Sequence, residues 1–301
     1  MTAPAPVHGG FSQHEMQTVL DRACAAAGLD STDAGILRGH TNAVVRLARD
    51  PVVVKIARRG SRMESVERTV HLVQWLMSQG FPTVALHPGL QQPIVVDGHA
   101  VTFWTYLPQP EHPVAARQIA GPLRTLHSFT SSPVQLPHLD NIGAIRRSIS
   151  VITSVPVDVR KFLSARVDHL EARLMGLCFD LRPSVIQSDP QHRNALHHGD
   201  GAVLCDWDTA AIGQPEWDLV TIEIHCRRFG YGRDHYQAFA DAYGYDITQH
   251  PGYPVLRDLR ELRMVTTNAK KTAHTPGSLE EVERRIEGFR QQDVELPWRI
   301  L

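Results

Sequence analysis

Cysteine is scarce in this sequence, and the residues present stand far apart with no Cys-x-x-Cys pair: Cys24, Cys178, Cys205 and Cys226. Such spacing indicates free thiols in a reducing compartment. The start of the chain also lacks the basic and apolar segments of a signal peptide, and no apolar run approaches the roughly 18 residues that span a bilayer. We therefore expect a cytoplasmic protein with no membrane partner.

Neither sign of charge is in excess. Lys and Arg total 31 against 32 Asp and Glu, so the formal net charge is -1. A balanced chain offers no electrostatic footprint for nucleic acid or for an anionic membrane. The 17 histidines likewise show no His-Glu-x-x-His or similar ligand spacing, which argues against a zinc enzyme of that kind.

Two common nucleotide-binding motifs are missing as well. The sequence contains no G-x-x-x-x-G-K and no complete G-x-G-x-x-G. Their absence argues against a P-loop protein and against a Rossmann dinucleotide site. A phosphate-binding function would therefore need another scaffold.

What the sequence does contain divides into a β-rich and a helical part. Patterns before residue 107 predict helices over 12–27 and 61–78, strands within 36–48 and at 52–56, and a hairpin at Asp97-Gly98. A proline-rich stretch, 107–113, predicts a linker. Helical patterns then dominate, at 114–129, 158–176, 218–229, 233–243, 254–273 and 278–290, with short strands at 184–186 and 202–205. We expect an α+β protein with an N-terminal lobe, 1–107, and a helical C-terminal lobe, 108–301.

Oxygen-bearing side chains follow the two predicted strands of the second lobe. Asp189 ends the first strand, Asn194 comes five positions later, and Asp206 ends the second strand, 17 positions after Asp189. A hairpin between the strands would bring the three together, and such ligands suit Mg²⁺ better than zinc. The order Asp-x4-Asn followed by Asp is that of kinase phosphoryl-transfer sites, in which the first Asp orients the attacking hydroxyl.

Segment 185–219 resembles the aminoglycoside phosphotransferase and choline kinase superfamily. That family's pattern is His-Gly-Asp-x4-Asn, an apolar strand, Asp-(Trp/Phe)-(Asp/Glu) and Gly-x4-Asp-Leu, and the chain supplies Asp189, Asn194, Asp206-Trp207-Asp208, Gly213 and Asp218-Leu219. The resemblance is greatest to actinobacterial members. It implies a protein-kinase-like two-lobe fold, ATP (or GTP) and Mg²⁺ as cofactors, Asp189 as catalytic base, and Asn194 and Asp206 as metal ligands.

The resemblance extends to the first lobe. Lys55 is similar to the strand lysine that contacts the α- and β-phosphates, with Glu67 favoured over Glu64 as its partner. The strand 101–107 is similar to the one that leads to the adenine-binding hinge, so Thr105 and Leu107 are candidate nucleotide contacts. Only the turn 39–42 is available to cover the phosphates, which makes candidates of Gly39, Thr41 and Asn42.

Further candidates for substrate or second-metal contacts are Asp208, His192, Arg193 and Arg228. Asp208 would share a strand face with Asp206, because side chains alternate along a strand. Arg227 and Arg228 are interpreted first as a solvated helix face, with a substrate contact as the alternative.

The match departs from the family before the catalytic aspartate. Gln187-Ser188 stands where the family has His-Gly, and Gln can both donate and accept hydrogen bonds. A literal His198-Gly199-Asp200 occurs later, but Cys205 stands where the Asn should be, so we predict a hairpin turn there. The resemblance also implies that Asp218 braces the catalytic loop.

The short spacing between Asp206 and Asp218 indicates the class of acceptor. Only 11 residues lie between them, which leaves no room for a long activation segment and favours a small-molecule hydroxyl acceptor. One hypothesis is a resistance enzyme acting on an aminoglycoside, a nucleoside or another natural-product antibiotic. The alternatives are a metabolic kinase of a sugar, choline-like or amino-alcohol acceptor, and a catalytically silent nucleotide-binding protein. A monomer and a homodimer are both compatible with the sequence.

Overall fold

The computed structural model describes residues 12–39, 42–272 and 275–301. The chain divides into two compact units. The first runs up to His112 and includes Ser132–Gln135 and Leu196–Asp208, and the second comprises Pro113–Ser131, Leu136–Ala195 and Thr209–Leu301. Segment 196–208, which the sequence placed in the C-terminal lobe, therefore belongs to the first unit.

The first unit is built on a five-stranded antiparallel sheet in the order β1-β2-β3-β5-β4. Its strands are β1 (Gly35–Arg38), β2 (Ala43–Arg46), β3 (Val52–Ile56), β4 (Ile94–Val96) and β5 (His99–Thr105), and its helices are α1 (Gln13–Ala27) and α2 (Met63–Ser78). The predicted caps of α1 are present: Ser12 accepts a hydrogen bond from the Glu15 amide, and Gly28 adopts a left-handed conformation at φ 70°.

Strand β3 has one face in the hydrophobic core of this unit and the opposite face directed away from it. Val52, Val54 and Ile56 are buried and pack in one hydrophobic core with residues of α1, β2 and β5. Successive side chains point to opposite faces of a strand, so Lys55 points away from that core. The alternation of the strand therefore directs Lys55 to the other face.

A short hairpin joins the first unit through backbone hydrogen bonds. It consists of β7 (Ala195–His198) and β8 (Gly201–Leu204). The Leu204 amide donates to the Pro82 carbonyl at 2.9 Å, and the Val84 amide donates to the Leu204 carbonyl at 3.0 Å. These bonds anchor the chain just before Asp206.

The second unit is mainly helical. Its helices are α3 (Ala116–Leu126), α4 (Asn141–Val151), α5 (Val157–Leu174), α6 (Glu216–Arg228), α7 (Arg233–Tyr243), α8 (Tyr253–Lys271) and α9 (Leu279–Gln291). Strands β6 (Ser184–Ile186) and β9 (Ala211–Gly213) pair antiparallel beside them. Helix α6 is buried along almost its whole length, and it faces α7 and α8.

Several features differ from the sequence prediction. Helix α4 and strands β7 and β9 were not predicted. The two strands predicted at 184–186 and 202–205 do not pair with each other, because β6 pairs with β9 and β8 pairs with β7. Residues Trp207–Thr209 form a 3-10 turn rather than the end of a strand, which means that Asp206 and Asp208 do not share a strand face. Within the described part of the chain, no helix is long and apolar enough to cross a membrane.

Candidate active site

Lys55 is the centre of a charged cluster in the first unit. Its ammonium nitrogen donates to Oδ1 of Asp206 at 2.9 Å and to Oδ2 of Asp208 at 2.7 Å. The Asn42 side chain donates to the same Asp208 oxygen at 3.1 Å. The three predicted residues Lys55, Asp206 and Asp208 are therefore brought together, although by a turn rather than by a strand face.

The electrostatics of this cluster keep Lys55 charged. Burial opposes the ammonium form, but the carboxylates of Asp206 and Asp208 outweigh it and raise the pKa of Lys55. The lysine side chain is 17% exposed, whereas those of Asp206 and Asp208 are 44% and 41% exposed. Carboxylate oxygens that are partly open to solvent are chemically suited to Mg²⁺, and the ammonium group beside them is suited to phosphate oxygens.

The backbone at Asp206 is held in an unusual conformation. Its φ is 60°, a left-handed value that is uncommon for a residue other than glycine. The next residue anchors the turn, because Trp207 is buried against Phe81 and donates from its indole nitrogen to Thr83 Oγ1 at 2.9 Å. Such outliers are retained where the surrounding structure fixes them, often at functional sites.

The other predicted nucleotide contacts lie around the same sheet. Gly39 follows β1, while Thr41 lies outside the described residues. Thr105 ends β5 with its amide donating to the Ala85 carbonyl at 2.9 Å, and Leu107 is half-buried two positions later. The structure does not bring Glu67 to Lys55: its side chain on α2 is exposed and has no ion-pair partner among the described residues.

In the second unit, Asp189 lies in a tightly hydrogen-bonded loop after β6. Its amide donates to Gln187 Oε1 at 2.6 Å, and Asn194 donates from its side chain to the Asp189 carbonyl at 2.9 Å. Asn194 is buried within a 3-10 turn, whereas the Asp189 side chain is 34% exposed. The loop thus presents one carboxylate and ties down the backbone around it, and Gln187 bonds to the loop as the sequence suggested.

Asp218 fixes the backbone of this loop through hydrogen bonds. It accepts from the amides of Gln187 and Ser188, both at 2.8 Å, and lies 3.1 Å from His127 Nε2. The Trp217 indole donates to the Ser188 carbonyl at 3.1 Å. A buried carboxylate with three such partners fixes the loop, which is the role that the resemblance implied for Asp218.

Ser188 carries the backbone strain of the loop. Its φ is 74°, and its buried hydroxyl has no hydrogen-bond partner among the described residues. The left-handed region suits glycine, because it has no Cβ to clash. The conformation gives a physical reason for the glycine that the family pattern has at this position.

Arg260 is a residue that sequence reasoning missed. It lies on α8, is 5% exposed, and its guanidinium donates to Oδ1 of Asp189. No spacing rule connects positions 189 and 260, so only the fold could reveal the pair.

The remaining candidate residues, His192, Arg193 and Arg228, differ in burial and in their partners. His192 is buried with its ring stacked on Tyr231 at 4.0 Å, and its Nε2 lies 3.0 Å from that of His235. Arg193 is exposed. Arg228 is 2% exposed and paired with Glu261 at 2.7 Å, so the solvated face predicted for it is wrong. The positive charge of Arg228 is therefore neutralised by Glu261 within the second unit.

The literal His198-Gly199-Asp200 forms a turn, as predicted. Gly199 has φ 55° between strands β7 and β8, and Asp200 is exposed. This position is distinct from the loop that holds Asp189.

Comparison with known proteins identifies the family and the fold. The sequence model of the phosphotransferase enzyme family (APH) matches residues 34–259. Choline kinase LicA from Streptococcus pneumoniae superposes with a TM-score of 0.66 at 15% identity, covering 91% of this chain and 99% of that one. Amicoumacin kinase hAmiN gives 0.68 at 12% identity, with 96% and 98% covered. Aminoglycoside phosphotransferase APH(3'')-Id from Streptomyces rimosus gives 0.59 at 19% identity, with 81% and 97% covered.

These likenesses confirm the predicted fold. A β-rich part followed by a helical part in a kinase-like α+β arrangement is common to the chain and to these structures. No curated protein sequence gives a significant match.

Proposed function

The chain belongs to the phosphotransferase enzyme family (APH), and on this basis we propose that it transfers the γ-phosphate of ATP to a hydroxyl group of a small molecule. The observation that carries the proposal is the loop of Asp189. Its carboxylate is partly exposed while Gln187, Asn194 and the brace at Asp218 fix its backbone. Phosphoryl transfer depends mainly on positioning and on charge stabilisation, and a fixed carboxylate meets that need.

Lys55, Asn194 and Asp206 are the residues proposed to hold the nucleotide and its metal. ATP would supply the phosphoryl group, with Mg²⁺ neutralising charge on its phosphates, and GTP is the alternative nucleotide. Lys55 is kept charged by Asp206 and Asp208, so it can bind phosphate oxygens throughout the physiological pH range. Thr105 and Leu107, after β5, are proposed to border the base, and Gly39, Thr41 and Asn42 the phosphates.

Asp189 is proposed to act on the acceptor. Its carboxylate accepts a hydrogen bond from the attacking hydroxyl, orients it, and takes its proton as the new bond forms. Arg260 holds one carboxylate oxygen, while Gln191 donates to the other at 3.2 Å. These two contacts fix the plane of the carboxylate.

We propose a resistance or detoxification role toward a natural-product antibiotic as the leading biological function. The named relatives include kinases of amicoumacin and of choline, and a phosphotransferase in complex with streptomycin. A metabolic kinase of a sugar or amino alcohol would use the same residues. The segment between Asp206 and Asp218 is short, which favours a small acceptor over a protein substrate.

A silent nucleotide-binding protein is the second candidate. The observation that favours it is the ion pair between Arg260 and Asp189, which occupies part of the carboxylate that the reaction needs. In that case Mg-ATP would stabilise the protein without any turnover.

An acceptor screen separates the two functions. The protein is incubated with Mg-ATP and a panel of hydroxyl compounds, and products are detected by mass as the addition of one phosphate. We expect thermal stabilisation by Mg-ATP and at least one phosphorylated product. Stabilisation with no product across the panel, and with no release of ADP, would support the silent protein instead.

A further inference from the structure

Two arginines of α8 lie side by side next to the candidate catalytic loop. Arg260 and Arg263 are one helical turn apart, on the same helix face. Their guanidinium carbons stand 5.4 Å and 5.8 Å from the centre of the Trp217 ring. Trp217 in turn donates to the Ser188 carbonyl, next to Asp189. The pair is therefore held at the loop by a buried aromatic ring.

Positive charge exceeds negative charge around this pair. Arg263 donates to the neutral side chain of Asn141 and, among the described residues, forms no ion pair of its own, although Asp189 and Asp140 attract it electrostatically. Arg260 is paired with Asp189, and the neighbouring Arg147 is paired with Asp140 at 3.1 Å. Two carboxylates, each already ion-paired, therefore balance three guanidinium charges.

One N–H group of this arginine pair also lacks a hydrogen-bond acceptor among the described residues. Arg260 is 5% exposed, yet its buried Nε has no hydrogen-bond partner within the described ranges. Burial and the neighbouring Arg260 lower the pKa of Arg263 to about 10. An anion bound between the two guanidinium groups would relieve both the unpaired donor and the repulsion.

We propose that the acceptor molecule carries an anionic group, a carboxylate or a phosphate ester, that pairs with Arg263 and Arg260 while its hydroxyl meets Asp189. This inference rests on the proposed phosphotransferase function and narrows its substrate class. A planar guanidinium fork binds such groups in a bidentate manner, which would set the distance from the anionic group to the reacting hydroxyl. Polycationic acceptors are disfavoured, since they would meet two arginines at the loop.

The reaction at this site balances as an ordinary phosphoryl transfer. The acceptor oxygen forms a bond to the γ-phosphorus of ATP, and the bond from that phosphorus to the β–γ bridging oxygen breaks. ADP leaves with the bonding electrons, and the hydroxyl proton passes to Asp189 and then to solvent.

Matched acceptors test the inference directly. The pairs are gluconate against glucitol, glucose 6-phosphate against glucose, and a nucleoside monophosphate against its nucleoside, with glucosamine as a cationic member. The carboxylate and phosphate members distinguish the two kinds of anion. We expect an anionic member to be phosphorylated with a kcat/KM about 10- to 100-fold above that of its neutral parent, as for a charge-assisted hydrogen bond.

Variants of Arg263 then test whether this residue causes the preference for anionic acceptors. Arg263→Gln should raise KM for the anionic acceptor about 10- to 100-fold and abolish the preference over its neutral parent, with a smaller change in kcat. Arg263→Lys keeps the charge but loses the fork, so it should recover part of the preference. The matched control is Arg146→Gln, because Arg146 lies at the surface of α4 and should leave the preference unchanged.

Two results would overturn the inference, and they are distinguishable. If neutral or cationic members are phosphorylated as well as the anionic ones, or if no anionic member is a substrate although ADP release exceeds that of Asp189→Ala, the inference fails and the proposed function stands. If no member is phosphorylated and ADP release equals that of Asp189→Ala, both fail.

Discussion

The ammonium group of Lys55 lies 2.9 Å from Asp206 Oδ1, so β3 and the segment after β8 meet through one ion pair. The contact joins two residues 151 positions apart in sequence. Asp208 adds a second carboxylate at 2.7 Å. In this structure Lys55 therefore pairs with the carboxylates of the Asp-Trp-Asp segment and not with a glutamate of α2.

Replacing Lys55 by methionine should remove the proposed phosphate contact. We expect Lys55→Met to lower kcat/KM for ADP release by about 10²–10³-fold, comparable to the loss of one charge-stabilising donor at an active site. Lys161→Met is the control, because Lys161 is exposed on α5. Steady-state kinetics with varied ATP would check both, and an unaffected Lys55→Met would remove Lys55 from the nucleotide site.

Ser188→Gly should stabilise the protein. The change relieves a left-handed conformation that costs about 1–2 kcal/mol in a residue with a Cβ, against about 0.5–1 kcal/mol of added chain entropy. It also removes a buried hydroxyl that lacks a partner in the described chain. We expect a net gain of about 1 kcal/mol in the free energy of unfolding, measured by denaturant titration.

Ser188→Ala separates the two contributions. It removes the hydroxyl but keeps the Cβ and its strain, so its gain should be smaller than that of Ser188→Gly. A larger gain from alanine than from glycine would show that the backbone at φ 74° is not strained.

Glu261→Gln should destabilise the second unit strongly. Glu261 and Arg228 are each 2% exposed, and Glu261 also pairs with Arg227 at 2.9 Å. Removing one partner of a buried ion pair costs about 3–5 kcal/mol, because the other charge stays buried. Glu171→Gln breaks an exposed pair with Arg146 and should cost below about 1 kcal/mol. Equal effects in the two variants would contradict a structural role for Arg228.

Stability should fall at acid pH because of His225. Burial, followed by the charge of Arg260, lowers the pKa of this histidine well below its usual value of 6.5. The unfolded state then binds a proton that the folded state does not, so the free energy of unfolding decreases as pH falls below about 6.5. Urea midpoints between pH 7 and pH 5 would measure this loss.

His225→Phe provides the comparison for that pH series. The ring of His225 already stacks on Phe229 at 4.8 Å, so an aromatic replacement keeps the packing. We expect a shallower dependence on pH in this variant and an unchanged one in His71→Gln, since His71 is exposed. The same slope in wild type and in His225→Phe would assign the acid sensitivity to other groups.

Local patterns predicted much of the fold. Ser12 and Gly28 mark the ends of α1, and Asp97-Gly98 marks the β4–β5 hairpin. Helix α4 was missed because its sequence, with Gly143, several isoleucines and two serines, has weak helical propensity and depends on packing against α5 and α8.

The site was predictable only where its residues are close in sequence. Asp189, Asn194 and Asp206 fall within one short motif, and the structure ties Asn194 to the Asp189 carbonyl. Glu67 was predicted as the partner of Lys55 because the family has a helix glutamate in that role. In the structure, Lys55 pairs with Asp206 and Asp208 instead. Arg260 lies 71 positions from Asp189, and such a pair has no local signature.

The most direct test of the account is the activity of Asp189→Ala beside Asp200→Ala. Both remove an aspartate carboxylate, but Asp189 lies in the braced loop and Asp200 in the exposed turn between β7 and β8. With an acceptor from the screen, Asp189→Ala should lower turnover by about 10²–10⁴-fold while Mg-ATP still stabilises the protein, and Asp200→Ala should behave as wild type. Full turnover in Asp189→Ala, or its loss in Asp200→Ala, would contradict the account.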